Sequence, residues 1–195
     1  MPAAVAPKNA LSFGAGWLYW SLQGGAMPLN TVTGSVFTDV PNSAVWGLVG
    51  VTREGHALTV DLSVDQVESA EYLPPLINVT TGRTCTVAFD MMQINKSSFQ
   101  LAVNGGTAVT SGSGTTLLTT TKLPTAGAER RIQLLWEATD STERWTAASA
   151  FQTGSLTMSR SKGADNASLP VEFTLEPDAN GDEFIQYFAG ATRGA

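Results

Sequence analysis

The 195-residue chain has a single cysteine and a single histidine. Cys85 therefore has no partner for an intrachain disulfide. Structural zinc sites draw on several Cys and His ligands, and Cys85 with His56 cannot supply them, so neither a metal nor another cofactor is expected. Charge is also scarce, at 14% of residues against roughly a quarter in an average domain. The net balance is −6, which excludes nucleic-acid binding by phosphate neutralisation, because that needs clustered Lys and Arg. No apolar run approaches the ~20 residues that cross a bilayer, so no membrane contact is expected. The first residues, MPAAVAPKNALSF, have neither a basic start nor a continuous apolar stretch, so they do not form a secretory signal. Synthesis in the cytoplasm is the expectation.

Thr, Ser and Gly take the place of the missing charge, and β-branched residues fit a pleated surface better than a helix. The clearest periodicity lies over residues 56–67. Leu58, Val60, Leu62 and Val64 share one parity, and Thr59, Asp61, Ser63 and Asp65 share the other. Such alternation predicts an extended strand with one buried face and one wet face. The apolar run 44–51 precedes it, and Arg53, Glu54 and Gly55 offer turn chemistry between the two, which predicts a β-hairpin. A third strand follows, with Cys85, Val87, Phe89 and Met91 alternating with Thr84, Thr86, Ala88 and Asp90.

The rest of the chain reads as one domain over residues 1–195, opening on a flexible arm at 1–12. Residues 15–22, AGWLYWSL, form a first strand that is apolar on both faces, as in a central strand or one set against a neighbouring molecule. Two long connections follow, at 23–43 and 68–83; connections of this length inside a compact domain are functional or disordered. The second contains Pro74 and Pro75, which cannot donate to a ladder and so cannot lie in a central strand. Asn95 is a good N-cap for a helix over 96–103, stopped by Gly105 and Gly106 and too short to stand without a sheet beneath it. Residues 108–114 read as a flexible loop and 115–122 as a strand. Further strands are expected at 131–137, at 143–151 running on through a bend at Gly154 to 160, at 171–175 and at 183–188, with a turn at 178–182. The fold class is all-β: a sandwich or partly open barrel of about eight strands with one short flanking helix.

No chemistry stands out. His56 could act as a general base, but there is no Gly-x-Ser-x-Gly elbow, and the plainer reading is a polar residue beside a turn. Asp178, Asn180 and Asp182 imitate the start of a calcium loop, yet Glu183 stands where glycine is required and Ala189 where a bidentate glutamate is required. Asp61, Asp65 and Asp90 could form a carboxylate pair for glycoside hydrolysis, or could simply occupy the wet side of a sheet. The five tryptophans fit a core or an interface better than a sugar platform. A non-enzymatic protein is the expectation.

Several short motifs, taken in order, resemble the major tail tube proteins of long-tailed, siphovirus-type bacteriophages, in particular those infecting actinobacteria. They are TGSVFTD at 33–39, WGLVGVTREGH at 46–56, VESAE at 67–71, LINVTTGR at 76–83 and VNGG at 103–106. They cover about the first 110 residues, and the remainder is alike only in being rich in strands. The resemblance implies the tail tube fold, a β-sandwich with a flanking helix, and hexameric rings in which strands of all subunits close one inner barrel. The rings would stack into the hollow tail tube through which DNA is ejected without being specifically bound. The tape measure protein and the tail terminator or tip proteins are the further partners implied. Asp61, Asp65 and Asp90 then become candidates to face the lumen. Thr33, Val36, Phe37 and Asp39 in the first long connection, and Tyr72, Leu73, Leu76 and Ile77 in the second, become candidate contacts between subunits or rings. The alternative is a carbohydrate-binding or hydrolytic jelly-roll module of a virion.

Overall fold

Residues 14–69, 72–158 and 167–190 are described by a computed structural model, which leaves the side chains of 68–76 aside. The arm expected over 1–12 lies outside the described residues, and the strand expected to run on past Gly154 to residue 160 is not formed: β10 ends at Gln152 and residues 153–158 carry no strand, with 159 and 160 outside the described residues. Within them, the β-branched and aromatic runs become twelve strands, and one α-helix is present.

The first half of the chain supplies β1 (Gly16–Leu22), the two-residue strands β2 (Val32–Thr33), β3 (Val36–Phe37) and β4 (Gly47–Leu48), and then the long pair β5 (Thr52–Ser69) and β6 (Tyr72–Met91). Helix α1 (Lys96–Ala102) follows, and after it come β7 (Thr107–Ser111), β8 (Leu118–Lys122), β9 (Ile132–Ala138), β10 (Glu143–Gln152), β11 (Leu169–Leu175) and β12 (Ile185–Phe188). The main sheet is antiparallel and runs β4-β1-β9-β10-β11-β6-β5, with β12 also paired to β10. It does not close into a barrel. Its two ends instead face each other across a single core, built from Leu18, Trp20, Val87, Phe89, Leu134, Trp136, Trp145, Phe173 and their neighbours. Leu101 and Ala102 of α1 are buried in that core, and Trp20 Nε1 donates to Ser97 Oγ at 3.1 Å, so the helix is docked on β1. The N-cap is the one read from the sequence: Asn95 accepts from the Ser98 N–H, and Ser98 Oγ accepts from the Asn95 N–H. No helix among the described residues is long and apolar enough to cross a membrane.

Three further expectations need correction. Residues 44–51 do not form a hairpin with β5; β4 pairs with β1, and Arg53, Glu54 and Gly55 lie inside β5 at a register irregularity between Thr52 and His56. Gly55 does take a positive φ of 81°, but in a bulge, where that freedom is used as readily as in a turn. Residues 68–83 are not a loop, because most of them belong to β6. Pro74 and Pro75 are tolerated there because β11 accompanies β6 only from Met91 to Cys85, which leaves the outer part of β6 with one edge unpaired among the described residues. Residues 108–114 are not a flexible loop either: residues 107–111 form β7 and pair with β8.

β9 is buried at every position but the half-buried Glu137, Leu135 included, although that residue interrupts the polar parity. Its second face is covered by the 23–46 segment, whose Phe37 and Trp46 are buried. A sheet covered on both sides reads as a continuous apolar run instead of alternating.

Candidate assembly surface

The 23–46 segment is held by one cation. Arg144 on β10 has a fully buried side chain, and each of its five N–H donors has an acceptor. Nη1 donates to Asn30 Oδ1 at 2.9 Å and to Asp39 Oδ2 at 3.1 Å, and Nη2 donates to the Asp39 carbonyl at 2.7 Å. Glu137 Oε2, from the paired position on β9, accepts from Nη2 at 2.6 Å and from Nε at 3.1 Å. The Phe37 ring lies 4.6 Å from the guanidinium carbon. Burial works to raise the Asp39 carboxyl, but the Asn30 backbone N–H and Arg144 outweigh it and hold the group below its ordinary range. Asp39 therefore fastens the small β2–β3 hairpin at its base, and Phe37 N–H donates to the Ser141 carbonyl at 2.7 Å. Of the contacts expected in this connection, Phe37 and Asp39 are engaged within the protomer, Thr33 is exposed and Val36 is half-buried. Sequence reasoning missed Arg144. Its one signal is a basic residue on β10 registered with an acidic one, Glu137, on β9.

The β5–β6 hairpin is the other outstanding feature. Beyond Val60 and Cys85 it leaves the body of the sheet, since no third strand accompanies it among the described residues. The nine residues from Asp61 to Ser69 reach roughly 30 Å at about 3.3 Å each. The parity expected to be buried is not buried there. Leu58 packs on the core, but Val60, Leu62 and Val64 are exposed, Leu62 by 58%. The apolar stripe thus starts inside the protomer and runs out into water. β5 is also the last strand of the sheet, so its outer edge has no ladder partner among the described residues.

Asp61 and Asp65 lie on the opposite parity of the hairpin and are exposed. Asp90 shares that parity near the base, but it is half-buried and pairs with Arg53 Nε at 3.3 Å. The three carboxylates are spread along the strands and form no catalytic pair. Of the contacts expected in the second connection, Ile77 is 57% exposed near the outer end of the hairpin. The backbones of Tyr72, Leu73 and Leu76 lie in β6, and their side chains lie outside the described residues.

His56 is not a polar residue beside a turn. It sits in β5 at the base of the hairpin, between the rings of Trp136 and Trp145 at 5.5 and 5.2 Å, and its Nε2 accepts from Trp145 Nε1 at 3.0 Å. Burial holds its pKa below the histidine value of 6.5. Cys85 is buried, and desolvation pushes its thiol up, away from the reactive thiolate. The 178–182 stretch is an Asx-type turn in which Asp178 Oδ1 accepts from the Asn180 and Asp182 N–H groups. No group of three acidic, His or Cys side chains that could hold a metal is present among the described residues.

No curated protein matches the chain. Among solved structures it is similar to a chain of an extracellular contractile injection system, the PVC sheath–tube complex in its extended state, at 13% identity and a TM-score of 0.39 over 96% of this chain and 95% of that one. It is also similar to a chain of the baseplate of the anti-feeding prophage (AFP), at 10% identity and a TM-score of 0.43 over 91% of this chain and 96% of that one. The phage tail tube protein profile matches residues 3–192. That match runs nearly end to end, and the chain belongs to the phage tail tube protein family.

Proposed function

We propose that this chain assembles into hexameric rings, that the rings stack into the hollow tube of a siphovirus-type tail, and that DNA leaves the capsid through the bore. Family membership makes the chain a structural component of the virion tail and not an enzyme. The order of short motifs in its first 110 residues supports an actinobacteriophage-like virus.

The observation that carries the reading is the hairpin. A monomer in water would keep neither a long free strand edge nor an exposed extension of its own core, and both are satisfied when a neighbouring copy pairs with the edge and covers the stripe. Repeating that head-to-tail contact around an axis closes a ring and removes every edge. The polar parity of the hairpin, with Asp61 and Asp65, and Asp90 at its base, then lines the bore. Its negative field repels the phosphate backbone, so DNA slides instead of adhering. Thr33 and Val36 on the small hairpin, with Phe37 and Asp39 fixing its position, and Tyr72, Leu73, Leu76 and Ile77 toward the outer end of the long one, supply contacts between subunits or rings. The tape measure protein would occupy the bore during assembly, and terminator or tip proteins would cap the ends. Size-exclusion chromatography followed by negative-stain microscopy tests the proposal: rings or tubes are expected, and a monomer at every concentration that binds glycans would support the jelly-roll alternative instead.

A further inference from the structure

We infer that the turn at residues 178–182 braces the β5–β6 hairpin against the body of the protomer, with Glu183 as the positioning residue. The brace is a property of the single chain, and only its bearing on a bore rests on the tube reading. Outward of Val60 and Cys85 the hairpin is a two-stranded ribbon among the described residues. A ribbon without a third strand twists more strongly than a sheet and is barely stable alone. Its length makes the base decisive: a tilt of about 10° there carries the end of a roughly 30 Å lever through about 5 Å.

Among the described residues, one ion pair joins this ribbon to another part of the protomer. Arg83, registered with Leu62, donates through Nη2 to Glu183 Oε2. Arg83 lies on the same face as Cys85, the face that continues the core, so Glu183 meets the ribbon from the side of the body.

Glu183 is itself held from both directions along the chain. Before it, Asp178 Oδ1 accepts from the Asn180 and Asp182 N–H groups at 2.8 and 3.0 Å, and the Asp178 N–H donates to the Asp182 carbonyl at 3.0 Å. Gly181 completes the turn at a φ of 91°, where a side chain would be strained. After it, the Phe184 ring lies 5.6 Å from that of Trp145 at the edge of the core, and Ile185 is registered with Thr146 of β10. The carboxylate therefore projects from a fixed point, with its side chain 16% exposed. The turn that imitates a calcium loop thus has a mechanical task, the mounting of Glu183. An exposed ion pair adds little to global stability, because solvent screens it and two side chains are ordered to make it. The brace acts on where the hairpin points and not on whether the protomer folds. In the tube reading, one tilt shared by every copy gives one bore width.

Pulsed dipolar spectroscopy tests the brace in the full chain. Spin labels go on two exposed positions, Gln66→Cys toward the outer end of the hairpin and Thr139→Cys on the body. Cys85 is buried and stays unlabelled. Labelled chain is diluted in unlabelled chain, so that only distances within one protomer are read. The doubly labelled chain should give one narrow distance distribution. Glu183→Gln should broaden it while thermal melting matches the parent. Asp178→Ala should broaden it too, although it leaves every hairpin residue in place. Arg83→Glu alone should broaden it, and Arg83→Glu with Glu183→Arg should narrow it again. An unchanged distribution in Glu183→Gln or Asp178→Ala, or a charge swap that stays broad, overturns the brace. A parent chain that forms no rings would sink the tube reading alone, and the label distances would still decide this inference.

Discussion

At the scale of single residues, two polar side chains stand out, the fully buried Arg144 and the half-buried His56. Arg144 is stable in its site because two carboxylates, an amide oxygen, a carbonyl and a ring surround it; removing it leaves Glu137 and Asp39 facing each other without a cation. Arg144→Ala should lower stability by on the order of 3–5 kcal/mol in denaturant titration. It should also raise hydrogen exchange across 30–39 before the rest of the sheet, and uniform exchange would show that the segment is held by something else. His56 supplies a pH dependence. Its folded pKa is depressed, so the unfolded chain takes up the proton first. Its contribution is fully present above 6.5 and is lost as the pH falls through the folded value. Protonation also removes the lone pair that accepts from Trp145. The unfolding midpoint should drop between pH 6.5 and the carboxylate range near about 4, and His56→Phe should flatten that slope. As the sequence holds no other histidine, a slope surviving the substitution would contradict the assignment.

At the scale of elements, local chemistry was legible where the deciding contacts are close in sequence. The α1 cap is an example: Asn95, Ser98 and the glycines beyond them specify both ends of the helix. Asn95→Ala should cost about 1 kcal/mol, measured by chemical denaturation, with the loss confined to the α1 end of the molecule. Alternation likewise marked β5, β11 and the inner part of β6. Partner choice was not legible. Gly55 reads the same whether it serves a turn or a bulge, and only pairing with β6 distinguishes them. Burial was read wrongly for Val60, Leu62 and Val64, because alternation reports that one face is covered and not by which molecule. The Arg144 cluster was hidden for a related reason. Its members Asn30, Asp39, Glu137 and Arg144 are far apart in the chain and unremarkable alone.

At the scale of the whole molecule, the protomer is an incomplete object. Among the described residues its sheet is open, its last strand has an unpaired edge, and its longest hairpin carries core chemistry into solvent. These features match what ring closure by further copies would consume. The acidic balance belongs to the same picture. Six copies of Asp61 and Asp65 around one axis would give a fixed negative field along the bore. Asp61→Lys with Asp65→Lys should leave the protomer folded, since both residues are exposed, yet slow DNA transit from assembled particles. The defect should shrink as added salt shortens the range of the field. Unchanged transit at low salt would place these carboxylates away from the passage. The most direct measurement is a cryo-electron microscopy reconstruction of the assembled chain. The account predicts a closed ring of six copies with the β5–β6 hairpins innermost and Asp61 and Asp65 facing the bore. Hairpins on the outer surface with those carboxylates pointing outward, or an assembly with no closed ring, would contradict it.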